Sequence, residues 1–157
     1  MKETLILGFG SDILCDESVV PRIFEYLKVE FPEADYLLFL TVSLDILHEI
    51  SGYRKILIID TIISKNGIPG KVKMYTLPDY EPTLHLENAH DISLPRLIDF
   101  AKKLNIPLTN DIQIISIEIS DHVTISSQMS PVVSANYLSI LDHVRQIVQS
   151  TILKPAF

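Results

Sequence analysis

Short apolar runs alternate with helical segments along this chain, and that alternation constrains its fold more than any other feature. Four runs have the length and composition of buried strands, at residues 5–8, 36–40, 56–59 and 113–119. Helical segments are predicted at residues 18–31, 44–50, from 91 or 93 to about 104, and 131–153. Because strands and helices alternate through short connections, we expect an α/β fold, a three-layer α/β/α domain with a mainly parallel sheet. The strand order stays open.

One further segment predicts a strand of a different kind. Residues 71–77 alternate, with Val72, Met74 and Thr76 opposite Lys71 and Lys73. Such alternation is typical of a strand with one solvated face, at a sheet edge. The expected sheet therefore allows one antiparallel strand.

Helix limits follow from capping chemistry. Ser18 is the expected N-cap of the first helix, and Pro21 lies in its first turn, where a missing N–H does no harm. Gly52 suits the end of the second helix. Asp91 or Ser93 is expected to cap the third.

Composition limits the functional classes. The 157 residues fit one domain, 1–157, and 47% of them are hydrophobic. The net charge of −7 disfavours a nucleic-acid partner but tolerates metal cations or a basic peptide. Cys15 is the only cysteine, which excludes an internal disulfide and a Cys-rich zinc site. With no signal peptide and no apolar run near the roughly 20 residues of a membrane helix, we expect a cytoplasmic monomer.

Acidic residues and one histidine follow the predicted strands. Asp16 and Glu17 end the loop after the first strand, Asp60 follows residues 56–59, and His90 precedes a helix. Ligands of open α/β sheets bind beyond the carboxyl ends of the strands. Two carboxylates and an imidazole suit a borderline divalent metal such as nickel or zinc, with open positions for water or substrate.

Each of these residues also has a simpler explanation. Asp16 and Glu17 are favourable beside a helix N-terminus, whatever else they do. Asp60 is able to cap a turn, and His90 is able to be an exposed loop residue. Only their shared position at one sheet edge favours a metal site.

Other catalytic and binding motifs fit poorly. Gly8-Phe9-Gly10 begins like a dinucleotide fingerprint, but its third glycine is replaced by Ile13. A phospho-receiver domain needs a lysine after the last strand, where Ser120 and the two residues after it stand instead. No Gly-x-Ser-x-Gly elbow occurs. Neighbouring carboxylates disfavour a thiolate at Cys15.

Four segments resemble the hydrogenase maturation endopeptidases. Residues 5–17 are similar to the family's first motif, which leads to an acidic pair, although Ser11 replaces an asparagine and no glycines follow the pair. Residues 58–70 resemble the second motif, residues 89–94 the third, and residues 129–133 the entry into the last helix. Phe39 and Leu40 stand where the family usually carries a glycine pair.

The resemblance implies a function and a set of ligands. Members are aspartic-type or metal-dependent endopeptidases that remove the C-terminal extension of a nickel-iron hydrogenase large-subunit precursor. By resemblance, Glu17, Asp60 and His90 are the metal ligands, for nickel that the substrate supplies. A non-catalytic relative that senses metal or binds an assembly partner remains an alternative, as does an α/β domain without metal.

Overall fold

The computed structural model describes residues 2–77 and 93–154. A sheet of five strands has the order β2-β1-β3-β5-β4. Four strands are parallel, and β4 is an antiparallel edge strand paired with β5. In chain order the elements are β1 (Lys2–Phe9), α1 (Val19–Glu30), β2 (Asp35–Phe39), α2 (Ile46–Ile50), β3 (Tyr53–Ile62), β4 (Val72–Thr76), α3 (Leu94–Lys103), β5 (Ile112–Glu118) and α4 (Pro131–Leu153). The expected α/β class, mainly parallel with one antiparallel strand, is confirmed.

Helices cover both faces of the sheet, which explains why the parallel strands read as continuous apolar runs. Helices α1 and α4 pack on one face, against a core that includes Ile6, Leu57, Ile59, Ile115 and Ile117. Helices α2 and α3 pack on the other, against a core that includes Leu5, Leu7, Ile56, Ile58 and Ile114. The domain therefore has three layers, and the carboxyl ends of its parallel strands meet at one edge.

Two contacts hold the α1/α4 layer in place. A Cβ atom at Gly8 would lie 2.5 Å from the Phe24 ring, so a glycine is needed for α1 to lie this close to β1. Lys55, only 4% exposed, donates hydrogen bonds of 2.6 Å to the carbonyls of Thr151 and Lys154. The buried ammonium satisfies carbonyls at the end of α4, where a positive charge is favourable.

The structure corrects several expected boundaries. Strand β3 continues to Ile62 because it keeps pairing with β5, so Asp60 lies within the strand and does not follow it. The Ser18 side chain makes no capping bond, because a short 3-10 helix, Cys15–Ser18, already leads into α1. Ser93 caps α3 by accepting a hydrogen bond of 3.3 Å from the Arg96 backbone N–H. Asp91, the other candidate cap, lies outside the described residues.

The edge strand also departs from its expected pattern. Val72 is buried under α4, as its face requires, but Met74 is 51% exposed. Alternation in the sequence identified the strand and its edge position, but not how far the layer above it extends. No helix in the described part of the chain is long and apolar enough to cross a membrane.

Candidate functional site

Glu17 and Asp60 come together where β1 and β3 end. The two strands are parallel neighbours with Gly8 opposite Ile59, so the loop after β1 leaves the sheet beside Asp60. Burial raises the pKa of the Asp60 carboxyl to about 7, against the opposing effect of a 2.8 Å hydrogen bond from the Thr61 N–H. The charge of Glu17 raises that pKa further. The two carboxyl groups are therefore within electrostatic range of each other.

A half-buried pair of carboxylates is suited to a cation. Two neighbouring carboxylates that are partly shielded from water repel each other. A bound divalent metal offsets this repulsion and replaces the water molecules that the carboxylates have lost. Glu17 and Asp60 thus fit the donor chemistry expected of a metal site. His90, the third predicted ligand, lies outside the described residues. Within residues 2–77 and 93–154, no three His, Cys, Asp or Glu side chains form a group able to hold a metal ion.

Asp16 has a role separate from that of its neighbour Glu17. It is fully buried, and its carboxylate accepts hydrogen bonds from the backbone N–H groups of Ser120 (3.0 Å), Asp121 (2.9 Å) and Ser130 (2.6 Å). The Ser130 hydroxyl donates a fourth, at 2.8 Å. These bonds run to the loop after β5 and to the residue that precedes α4, and none of them comes from a backbone N–H of α1. Asp16 instead fixes the turn that presents Glu17.

Cys15 is part of the same turn. Its backbone has a φ of 43°, in the left-handed region, and its N–H donates a 2.9 Å hydrogen bond to the Ser126 carbonyl. Burial raises the pKa of the Cys15 thiol, and the charges of Asp16 and Asp121 raise it further. A neutral thiol follows, in agreement with the expectation that Cys15 is no nucleophile.

A cavity of about 290 Å³ lies on the β5 side of Asp60. Asp60 pairs with Ser116, and Ser116 pairs with Lys73, so the three form a row across β3, β5 and β4 on the face that carries α2 and α3. Ser116 and Lys73 line the cavity, together with Lys71 and Glu118. A row of polar side chains therefore extends from Asp60 across β5 to β4.

Glu118 holds the loop that forms the outer wall of this cavity. Its Oε1 accepts hydrogen bonds from the Ser64 N–H (2.7 Å) and the Ser64 hydroxyl (2.8 Å), while its backbone carbonyl accepts one from the Gly70 N–H (2.8 Å). A Cβ atom at Gly67 would overlap that same Oε1, so glycine allows the loop to approach the Glu118 carboxylate closely. Sequence reasoning missed Ser116 and Glu118. Their signal was two polar residues at strand spacing within a buried apolar run.

Phe39 and Leu40 occupy the end of β2, on the other side of β1. The half-buried Phe39 side chain packs against the core beneath α2 and α3, and its carbonyl accepts a 3.0 Å hydrogen bond from the Gly10 N–H. Leu40 is 71% exposed. Of the two, therefore, only Leu40 projects mainly into solvent.

Comparison with known proteins gives a consistent result. A family model described as hydrogenase maturation protease (HycI) matches residues 21–147. The hydrogenase 2 maturation protease of Escherichia coli K12 is 30% identical over 115 residues, which cover 65% of this chain and 69% of that protein.

Solved structures share the fold. The hydrogenase maturating endopeptidase HybD from E. coli superimposes with a TM-score of 0.71 at 18% identity, over 94% of this chain and 93% of that one. The [NiFe] hydrogenase maturation protease HybD from Thermococcus kodakarensis gives 0.62 at 20% identity, over 92% and 98%. The family model and the E. coli relative extend the likeness from fold to sequence, and the chain belongs to the hydrogenase maturation protease family.

Proposed function

We propose that this protein is an endopeptidase that removes the C-terminal extension of a nickel-iron hydrogenase large-subunit precursor, and that it recognises the nickel bound there through Glu17, Asp60 and His90. Membership of the family supports the peptidase activity and the hydrogenase precursor as substrate. The observation that supports the metal role is that Glu17 and Asp60 lie within electrostatic range of each other, near the carboxyl ends of β1 and β3.

In this proposal the nickel is part of the substrate. A metal shared by precursor and protease is able to position the scissile bond and polarise its carbonyl. The chain's own groups prepare the place. Asp16 fixes the turn that carries Glu17, and the Thr61 N–H orients the Asp60 carboxyl group through Oδ1. Both carboxylates are thereby held at one edge before the precursor arrives, which lowers the entropic cost of docking.

Processing of a nickel-loaded precursor by four variants tests this proposal. Glu17→Gln, Asp60→Asn and His90→Ala are each expected to lower kcat/KM by about a hundredfold or more, because each removes a ligand. Glu25→Gln, a matched change on an exposed glutamate of α1, should process like the wild type. Wild-type processing by any of the first three would remove that residue from the site.

A second candidate is a non-catalytic relative that binds the metal-loaded precursor without cutting it. The observation that favours it is Leu40, a large exposed side chain where relatives carry a small residue by the resemblance described above. Co-elution with the nickel-loaded precursor and no cleavage would support this candidate. We further propose a cytoplasmic monomer, which light scattering and cell fractionation would test.

A further inference from the structure

Among the described residues, Ser116 carries a buried hydroxyl whose hydrogen-bonding capacity is not used. Ser116 is 1% exposed, and its Oγ has no hydrogen-bond partner among the described residues. A buried hydroxyl without a partner is costly, so such a group calls for a specific reason. Ser116 is one of the residues that line the cavity of about 290 Å³, and Asp60 is its neighbour on β3.

The charged residues that line this cavity favour an acidic ligand. Lys71 and Lys73 contribute two positive charges to the cavity wall, both on exposed side chains, against the single carboxylate of Glu118. Glu118 is buried, and Ser64 already donates two hydrogen bonds to its Oε1. The wall therefore carries a net positive charge on a protein whose net charge is −7.

The position of the cavity relates it to the metal site. Ser116 lies between Asp60 and Lys73 in the cross-strand row, and neighbouring strands are about 4.8 Å apart. A group bound by Ser116 and Lys73 would thus lie within a few residues' length of a bond held at Asp60. The Ser64 and Gly67 loop gives the cavity a fixed outer wall.

We infer that this cavity is a subsite for the polypeptide that is cut, and that it binds a carboxylate of the segment near the scissile bond through the Ser116 hydroxyl and the Lys73 ammonium, with Lys71 adding positive charge. This inference rests on the proposed function for the identity of the peptide. The carboxylate belongs either to an acidic side chain of the extension or to its free C-terminus, and both present the same chemistry. The volume is nearly ten times the roughly 30 Å³ that one water occupies, so a peptide group has room to enter.

Steady-state processing kinetics test the subsite. Ser116→Ala and Lys73→Gln should each raise KM about three- to tenfold with kcat nearly unchanged, the range that one lost hydrogen bond or charge gives. Lys102→Gln, an equal change of charge on an exposed lysine at the C-terminal end of α3, should leave KM unaltered. Ser116→Ala should unfold at the same or a higher urea concentration than the wild type, since it removes an unpaired buried group. An unchanged KM in Ser116→Ala would mean that water alone occupies the cavity, and would overturn the inference.

Altered substrates identify the source of the carboxylate. Precursors with amidated acidic side chains in the extension, or with an amidated C-terminus, should show a raised KM in one case and not in the other. In the Lys73→Gln variant, amidation of that carboxylate should no longer raise KM, because the ammonium that binds it is gone. This loss of effect is the coupling that a double-mutant cycle measures. Equal KM values for the unmodified precursor and both amidated precursors would contradict the proposal.

Failure of the proposed function is distinguishable from failure of the subsite. If Asp60→Asn processes normally, the metal assignment fails while the Ser116→Ala measurement still decides the subsite. If no precursor is cut at all, fluorescence anisotropy with a labelled extension peptide takes the place of kinetics. Weaker binding to Lys73→Gln than to Lys102→Gln would then support the subsite, and equal binding would overturn it.

Discussion

The carboxylate of Asp16 accepts hydrogen bonds from both the backbone N–H (2.6 Å) and the hydroxyl (2.8 Å) of Ser130, which lies immediately before α4. The turn after β1 is thereby joined to the start of the last helix, 114 residues further along the chain. Glu17 is the next residue, so its position depends on this buried junction. The position of Glu17, a proposed metal ligand, therefore depends on the buried carboxylate of Asp16.

We expect Asp16→Asn to lower the free energy of unfolding by about 1–3 kcal/mol. The three N–H donors are divided between the two carboxylate oxygens, so the NH₂ group of asparagine must face at least one of them and leave it without an acceptor. Urea unfolding followed by circular dichroism measures this. Asp12→Asn is the matched control, since Asp12 is exposed in the same loop. Equal stability of the two variants would show that the junction contributes little.

Lys55→Met should lower the free energy of unfolding by about 2 kcal/mol, since the methionine fills the space but leaves the carbonyls of Thr151 and Lys154 without their donor. Hydrogen exchange in the last turn of α4 should be faster in this variant than in the wild type, while exchange in the middle of α4 should change less. Lys103→Met, on an exposed lysine at the end of α3, serves as the control. Unchanged exchange in that turn would argue against an anchoring role for Lys55.

Gly8→Ala should destabilise the protein by about 1–3 kcal/mol, because the new Cβ would lie 2.5 Å from the Phe24 ring and force α1 outward. Thermal unfolding measures the loss. Adding Phe24→Leu, which removes the ring, should restore part of the stability in the double variant. If the two changes were simply additive, steric conflict with Phe24 would not be the cause.

The metal-free protein should lose stability as the pH rises from about 4 to about 7, through the window set by Asp60. Its pKa is raised from 3.8 to about 7, mainly by burial, so the unfolded chain ionises this carboxyl group first and is favoured as the pH rises. Asp60→Asn removes this pH-dependent contribution to the free energy of unfolding. In a chelating buffer the variant should gain about 1–2 kcal/mol over wild type above neutral pH, a value reduced for partial solvent contact, and almost nothing near pH 4. A variant that is less stable at both pH values would contradict the sign.

Most of the architecture could be predicted from local patterns. The apolar run at residues 56–59 and the alternation at 71–77 gave a buried strand and an edge strand, both of which are confirmed. The extension of β3 past Asp60 could not be predicted, because it depends on pairing with β5, far along the chain. Strand order depends on the same long-range pairings.

The candidate site was predictable only where a strand end marks it. Glu17 and Asp60 were predicted as metal ligands because both lie near the carboxyl ends of strands. The structure brings the two carboxyl groups within electrostatic range, and their role as ligands stays a prediction. Asp16 looked equivalent to Glu17 in sequence, and only the fold shows that its partners lie around Ser120 and Ser130. Ser116 is polar in an apolar strand, but its missing partner is a property of the packed structure.

The intact mass of a hydrogenase large-subunit precursor, after incubation with this protein, tests the central claim most directly. The account predicts that the nickel-loaded precursor loses its C-terminal extension with wild-type protein, and that both the nickel-free precursor and the Glu17→Gln variant give no such loss. Cleavage of the nickel-free precursor at the same rate, or full activity of Glu17→Gln, would contradict recognition of nickel through this site.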